Sequence, residues 1–250
     1  MSEALLQGKA ALVTGSGRGI GRAVALALAR QGAAVALVSR TAADLKAVQA
    51  EIEAGGGQAV MFQADVADEG QLKAVLRGAV ERFGRLDILV NNAAHGGSKA
   101  FLDITTQDWD LAFATNVRAP FILSREAIPH LIKNTPSFIV NIISIGARRC
   151  YPNTAAYAAS KHALRAMSIV LSQELKDTGV RVHCINPGGV ATSAMARGLK
   201  AGNRPDLLNA KMIQPEEIAD MVLYLVTHGD GGIIDELSMR RADSNYWCFI

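Results

Sequence analysis

Short apolar runs alternate along the chain with longer stretches in which apolar residues recur at helical spacing. The runs are Lys9–Thr14, Ala34–Val38, Ala59–Gln63, Leu86–Val90, Ser137–Ile143 and Arg181–Ile185, with a last one inside Gly232–Met239. Each has strand length and is nearly continuous in apolar residues, the pattern of strands buried on both faces. Between them, Arg22–Arg30 is built from good helix formers. Thr41 stands where it can cap a helix to about Ala54, closed by Gly55–Gly57. Asp68, with Gln71 three residues on, has the capping-box pattern and opens a helix to Phe83. Thr106 to about Lys133 reads as one long helix, Thr154 to Lys176 as another, and Pro215 begins a last one. Strands alternating with helices predict an α/β fold, a doubly wound parallel β-sheet flanked by helices on both faces, with ligands at the carboxyl ends of the strands. No repeat, low-complexity tract or linker interrupts residues 1–250, which read as one domain, and residues 187–208, poor in strand signals, read as a flap over the site.

The first strand runs into Gly15-Ser16-Gly17-Arg18-Gly19-Ile20-Gly21, and a helix follows at once. Strand, glycine turn and helix in that order form a site for a dinucleotide: the glycines let the backbone approach a pyrophosphate, and the free amides at the helix start bind it. The spacing departs from the usual G-x-G-x-x-G because Ile20 holds the sixth place, but a bare turn needs only one glycine. The position about 20 residues beyond the turn faces the adenine ribose; here (39 − 19 = 20) it is Ser39, followed by Arg40. No carboxylate is present to repel a 2′-phosphate, Arg40 can pair with one, and Arg18 can approach it from the glycine loop. NADP(H) is therefore expected over NAD(H).

Tyr157 and Lys161 are four residues apart in a helical segment, so their side chains share a face. A phenol is a poor acid or base at neutral pH, and a neighbouring cation favours its ionised form. Alone the pair is a weak signal. Ser144 ends the fifth strand thirteen residues earlier (157 − 144 = 13). Asn116 lies four residues before Pro120, whose missing N–H either frees the Asn116 carbonyl to hold a water facing the site or simply kinks the helix.

Half of the 250 residues are hydrophobic, a fifth are charged, and the net charge of +3 is unclustered, which gives nucleic-acid binding no support. No basic segment followed by an apolar one opens the chain, and no apolar run has the length of a membrane span. Cys150, Cys184 and Cys248 are odd in number and widely spaced, which indicates neither a disulfide framework nor a metal site and points to a reducing compartment. A cytoplasmic protein is expected.

Taken in order, these motifs make the chain resemble the short-chain dehydrogenase/reductase superfamily, in its single-domain form, from Lys9 to about Met239. Thr14 to Gly21 is similar to the family's cofactor turn, Asp65-Val66 to its adenine-contacting pair, and Asn91-Asn92-Ala93 to the segment supporting the central sheet. Asn116, Ser144, Tyr157 and Lys161 match the catalytic tetrad, and Pro187, Gly188, Val190 and Thr192 belong to the N-P-G-x-x-x-T segment that lies along the nicotinamide. The resemblance implies a Rossmann-type fold and a hydride exchanged between NADP(H) and a carbonyl or secondary alcohol, of ketone or 3-oxoacyl type. It makes Tyr157 the general acid/base, Lys161 its partner and a ligand of the nicotinamide ribose, Ser144 a donor to the substrate oxygen, and Asn116 the anchor of a proton-relaying water.

The alternative is a catalytically silent NADP(H)-binding sensor or scaffold; intact tetrad residues favour the enzyme. His95, Gly96, Ile145, Ala147, Cys150, Tyr151, Gly188, Gly189 and Met195 are expected to line the substrate cleft; Arg148 and Arg149 beside it could recognise an acidic group such as a phosphopantetheine arm, but are expected to be solvated. A homodimer or homotetramer is expected. The tail departs from the family, since Asp230-Gly231-Gly232 precedes the last strand and Tyr246, Trp247 and Phe249 close the chain.

Overall fold

A computed structural model of the chain describes residues 4–193, 195–196, 212–228 and 232–242. The flap expected over 187–208 lies outside them from residue 197 onward, as do Cys248 and the terminal aromatics.

Seven strands form one parallel sheet: β1 (Ala10–Thr14), β2 (Ala34–Ser39), β3 (Gln58–Gln63), β4 (Ile88–Asn91), β5 (Ser137–Ile142), β6 (Val180–Pro187) and β7 (Glu236–Met239). Their spatial order is β3-β2-β1-β4-β5-β6-β7, so the winding reverses between β1 and β4. The crevice at such a reversal is where open α/β sheets bind ligands. Strand residues alternate between two cores. Ala11, Val13, Ile88 and Val90 face α1 (Gly19–Arg30), α2 (Ala42–Ala54) and α7 (Pro215–Thr227), while Leu12, Leu89 and Ile139 face α3 (Glu69–Phe83), α5 (Ala119–Leu131) and the end of α6 (Ala155–Glu174). Burial on both faces is why the strands read as continuous apolar runs.

The expected helix over 106–133 is present, with an irregularity. α4 (Thr106–Phe113) passes into a π turn at Ala114–Arg118 before α5 begins, and the Ala119 N–H bonds the Ala114 carbonyl five residues back. Such single wide turns are frequent at functional sites. Two capping expectations need correction. Thr41 occupies the cap position of α2, but its side chain accepts no bond; its own N–H goes to Ser39 Oγ at 3.3 Å. Asp68 does accept from the Gln71 N–H at 3.0 Å, yet the Gln71 side-chain oxygen takes the Asp65 N–H at 2.9 Å rather than the Asp68 N–H, while its Nε2 donates to Asp68 Oδ2 at 3.1 Å. The last strand is also shorter than Gly232–Met239, because pairing with β6 begins only at Glu236, opposite Cys184.

Candidate active site

The glycine turn is fixed from below by hydroxyls. Thr14 Oγ1 accepts the N–H groups of Asn92 and Ala93, both at 3.0 Å, and Asn92 Nδ2 returns a bond to the Thr14 carbonyl at 2.8 Å. Ser16, fully buried, takes the Val38 N–H at 2.8 Å and so ties the loop to the tip of β2. Gly19 sits at φ +56°, a conformation open to glycine at little cost. At Gly21 a Cβ would lie 2.3 Å from the Gly15 carbonyl oxygen and 2.4 Å from Asn92 Nδ2, so α1 rests on the loop with no room for a side chain. The start of α1 has no side-chain cap and no acidic residue in its first turn, which leaves its amides and positive dipole available to an anion.

Ser39 and Arg40 end β2 beside this loop, and a Cβ on Gly17 would be 3.0 Å from Ser39 Oγ. Arg18 and Arg40 are exposed, and neither guanidinium has a hydrogen bond or ion pair among the described residues. Asp65 is half-buried, its Oδ1 accepting the Ala67 N–H at 2.9 Å, and Val66 is buried. From the other side, Thr192 approaches the turn: a Cβ on Gly19 would be 3.2 Å from its Cγ2. Pro187 ends β6, and Val190 forms a parallel bridge with Ile213. These groups lie at the carboxyl ends of the strands on either side of the β1–β4 reversal. Open amides and a glycine floor fit the phosphates of a nicotinamide dinucleotide.

Ser144, Tyr157 and Lys161 come together where β5 runs into α6. Ser144 caps the short helical turn Ile145–Ala147, its Oγ accepting the Gly146 N–H at 2.9 Å. The Tyr157 ring lies between two glycines, since Cβ atoms on Gly96 and Gly146 would stand 3.7 and 3.4 Å from it. Lys161 is 2% exposed; its Nζ donates to the Ile142 carbonyl at 2.8 Å and lies 6.0 Å from the Tyr157 ring centre. Burial raises the Tyr157 phenol above its ordinary value, and the Ser144 hydroxyl opposes part of that rise. The lowering expected from Lys161 is not found. The ammonium is itself desolvated, which drives its pKa down to about 7, and it directs a donor at Ile142 rather than at the phenol.

The buried lysine has a pH signature. Between about pH 7 and 10 the unfolded chain holds this proton and the folded one does not, so stability rises with pH in that window. Wild type compared with Lys161→Met should therefore gain about 1.4 kcal/mol per pH unit there. Denaturant titrations that run parallel across the window would contradict it.

Asn116 is wholly buried and uses its side chain structurally. Its Oδ1 accepts the His95 N–H at 2.7 Å, and its Nδ2 donates to the His95 carbonyl at 2.8 Å and to Ser160 Oγ at 2.9 Å. The amide thus pins the strand-to-helix loop after β4 against α6. Pro120, at the start of α5, has no N–H to offer the Asn116 carbonyl. A further relay runs beneath the site: Asn91 Nδ2 donates to Asn141 Oδ1, and Asn141 Nδ2 to Ser168 Oγ, each at 2.8 Å. Thr14 is marked in the sequence only as the start of the glycine turn, and Ser16, Asn141, Ser160 and Ser168 have no role assigned there.

The residues expected around the substrate divide into groups. His95 and Tyr157 line a cavity of about 60 Å³ with Ile104, Ala112 and Ala156. Cys150 and Tyr151 border a larger hollow of about 520 Å³, to which α6 presents Ala155, Ala158, Ala159 and His162. Ile145 approaches Gly188, and Met195 approaches Gly189 together with Met212. Arg149 lies over the Tyr151 ring, 5.4 Å from its centre. Arg148, expected to be solvated, instead forms an ion pair with Glu236. Among the described residues no helix is long and apolar enough to cross a membrane.

Comparison with known proteins agrees with this geometry. Residues 9–203 match the short chain dehydrogenase family. A 3-oxoacyl-[acyl-carrier-protein] reductase of Synechocystis sp. is 35% identical over 226 residues, covering 89% of this chain and 90% of the relative. A crystal structure of a short chain dehydrogenase from Burkholderia cenocepacia in complex with NADP superposes with a TM-score of 0.86 at 36% identity, covering 94% of this chain and 97% of that one. A 7α-hydroxysteroid dehydrogenase complexed with NADH and 7-oxo glycochenodeoxycholic acid gives 0.85 at 32% identity, with coverages of 95% and 96%. A seven-stranded parallel sheet, a glycine turn at its winding reversal and a serine, tyrosine and lysine gathered beside that turn place this chain in the short-chain dehydrogenase/reductase superfamily of oxidoreductases.

Proposed function

We propose that the protein is an NADP(H)-dependent reductase of ketone or 3-oxoacyl carbonyls, with Tyr157 as proton donor. The observation that carries this reading is the meeting of the Ser144 and Tyr157 hydroxyls beside an anion-ready glycine turn, with Lys161 buried beneath them. When bound, the nicotinamide supplies the hydride to the carbonyl carbon. As negative charge builds on the carbonyl oxygen, Ser144 donates a hydrogen bond and Tyr157 gives up its phenolic proton. Burial raises the phenol and the Ser144 hydroxyl opposes part of that rise, easing the proton's departure. The Lys161 ammonium then supports the phenolate, and a water on the Asn116 carbonyl is the proposed route for the returning proton. In this reading Gly15, Gly17, Gly19, Ile20 and Gly21 hold the pyrophosphate, and Asp65, Val66, Asn92 and Ala93 hold the adenine and central part of the cofactor. Pro187, Gly188, Val190 and Thr192 flank the nicotinamide.

Two relatives support a ketone as the reacting group, since one is named for a 3-oxoacyl substrate and the other is complexed with a 7-oxo steroid. One dinucleotide-binding domain, a cytoplasmic location and a homodimer or homotetramer complete the proposal; Trp109, Phe121 and Val170 leave apolar surface on the outer helices for such an assembly. A panel of ketones, 3-oxoacyl thioesters, sugars and steroids, run with NADPH and with NADH, tests it; binding of NADPH without oxidation on any class would defeat it.

The preference for NADP(H) rests on the free guanidiniums of Arg18 and Arg40. A charge-assisted bond to a phosphate is worth about 1.5–3 kcal/mol, or roughly ten- to a hundredfold. Arg40→Glu should raise KM for NADPH by about that factor and leave KM for NADH nearly unchanged. Equal effects on both cofactors would remove Arg40 from the 2′-phosphate site.

A further inference from the structure

One carboxylate of the last strand reaches two elements of the active site. Glu236 opens β7 and pairs in register with Cys184 of β6. Its Oε1 accepts from Arg165 Nε at 2.5 Å, and its Oε2 accepts from Arg165 Nη2 at 2.8 Å and from Arg148 Nη2. The carboxylate is only 14% exposed and the two arginines about a third, so the cluster is shielded more than a surface ion pair. Desolvation works against the charge on Glu236, and the guanidiniums outweigh it, holding the carboxyl below its ordinary value.

The two arginines come from the two halves of the catalytic site. Arg148 follows the helical turn that Ser144 caps, and its N–H bonds the Ile145 carbonyl at 2.9 Å. Arg165 lies one helical turn beyond Lys161 (165 − 161 = 4) and two beyond Tyr157 (165 − 157 = 8), on the same side of α6. Beneath the ion cluster, Ile143, Ala147, Leu164 and Cys184 pack the serine turn against α6. That apolar contact holds the elements together without fixing a direction, whereas a bidentate arginine–carboxylate pair does fix one.

We propose that Glu236 is a positioning residue, clasping Arg148 and Arg165 so that the Ser144 and Tyr157 hydroxyls are set at the separation the reaction requires. The proposal rests on the reading of Ser144 and Tyr157 as the groups that act on the carbonyl. Displacement of a reacting group by about 1 Å costs roughly a hundredfold in rate, so a clasp that limits small shifts has a measurable effect. The neighbouring residue provides a control. Asp235, just before β7, accepts from Ser172 Oγ at 3.1 Å, tying the start of that strand to the last turn of α6.

The test uses the full chain with NADPH and ethyl acetoacetate as the carbonyl probe. Glu236→Gln should lower kcat about tenfold and leave NADPH affinity, read from its fluorescence, within about twofold. Arg148→Met should cause a similar loss and add little to Glu236→Gln, as expected for residues acting as one unit. Asp235→Asn should keep wild-type kcat. Unchanged kcat in Glu236→Gln, an equal loss in Asp235→Asn, or fully multiplicative losses in the double variant would each overturn the clasp. If Glu236→Gln does not fold, Arg148→Met against Asp235→Asn decides the same question. If the probe is not reduced, ultraviolet titration of Tyr157 decides it. Losing the clasp should raise the midpoint further by withdrawing Ser144, and an unmoved midpoint refutes the proposal. Turnover that survives Tyr157→Phe would instead count against the underlying reading.

Discussion

Tyr157→Phe is expected to lower turnover of a carbonyl substrate by about 10³-fold, the scale of a positioned general acid, while NADPH binding changes by less than about twofold. The substitution removes one oxygen and no packing. The ring would keep its place between Gly96 and Gly146, and Lys161 would keep its bond to the Ile142 carbonyl. What disappears is the group that, among the described residues, is placed to hand a proton to an oxygen that Ser144 also contacts in the proposed pose. A water in the vacated space is a weaker acid and is not aligned. Steady-state rates with fluorescence-detected NADPH binding separate the two effects. Loss of cofactor affinity equal to the loss of rate would show that the hydroxyl matters for binding instead.

Gly21→Ala carries the second large effect. The new methyl would stand 2.3 Å from the Gly15 carbonyl oxygen and 2.4 Å from Asn92 Nδ2, and neither neighbour can yield cheaply. Gly15 is held at φ +66°, and Asn92 Nδ2 donates to the carbonyls of Thr14 at 2.8 Å and Gly15 at 3.3 Å. Relief requires α1 to lift from the loop. Overpacking of this kind costs about 1–3 kcal/mol, so the melting temperature should fall by several degrees. The amides at the start of α1 would move with the helix, and NADPH affinity should fall by about a hundredfold or more. Calorimetry and a binding titration report the two losses. Wild-type affinity in a destabilised protein would mean that the turn's geometry is not what binds the cofactor.

The parallel sheet was legible because its central strands are buried on both faces, leaving runs such as Leu12-Val13 and Ile88-Leu89-Val90 with no polar interruption. The glycine turn was legible for a related reason: a backbone that must approach other groups closely excludes side chains at fixed places. Other features depend on partners distant in the chain. Glu236 and Arg148 are 88 residues apart, so nothing local marked Arg148 as paired rather than solvated. The π turn at Ala114–Arg118 escaped notice because one wide turn hardly disturbs the apolar periodicity of the helix around it. Ser16 and Ser160 looked like small filler, and their value lies in which amide or carbonyl the fold brings to each hydroxyl. The helical spacing of Tyr157 and Lys161 likewise placed the two on one face but said nothing of solvent. Depth decided the electrostatics there, raising the phenol and lowering the ammonium, opposite to what adjacency alone implied.

Hydride transfer to a carbonyl carbon, with Tyr157 supplying the proton, is the reaction proposed for this site. A single-turnover reaction with NADPH deuterated at the transferring position of C4, analysed by mass spectrometry, tests it most directly. Wild type should place one deuterium on the carbinol carbon of the product, and Tyr157→Phe, saturated with the same cofactor, should form almost none on that timescale. Deuterated product formed by Tyr157→Phe at the wild-type rate would contradict the account.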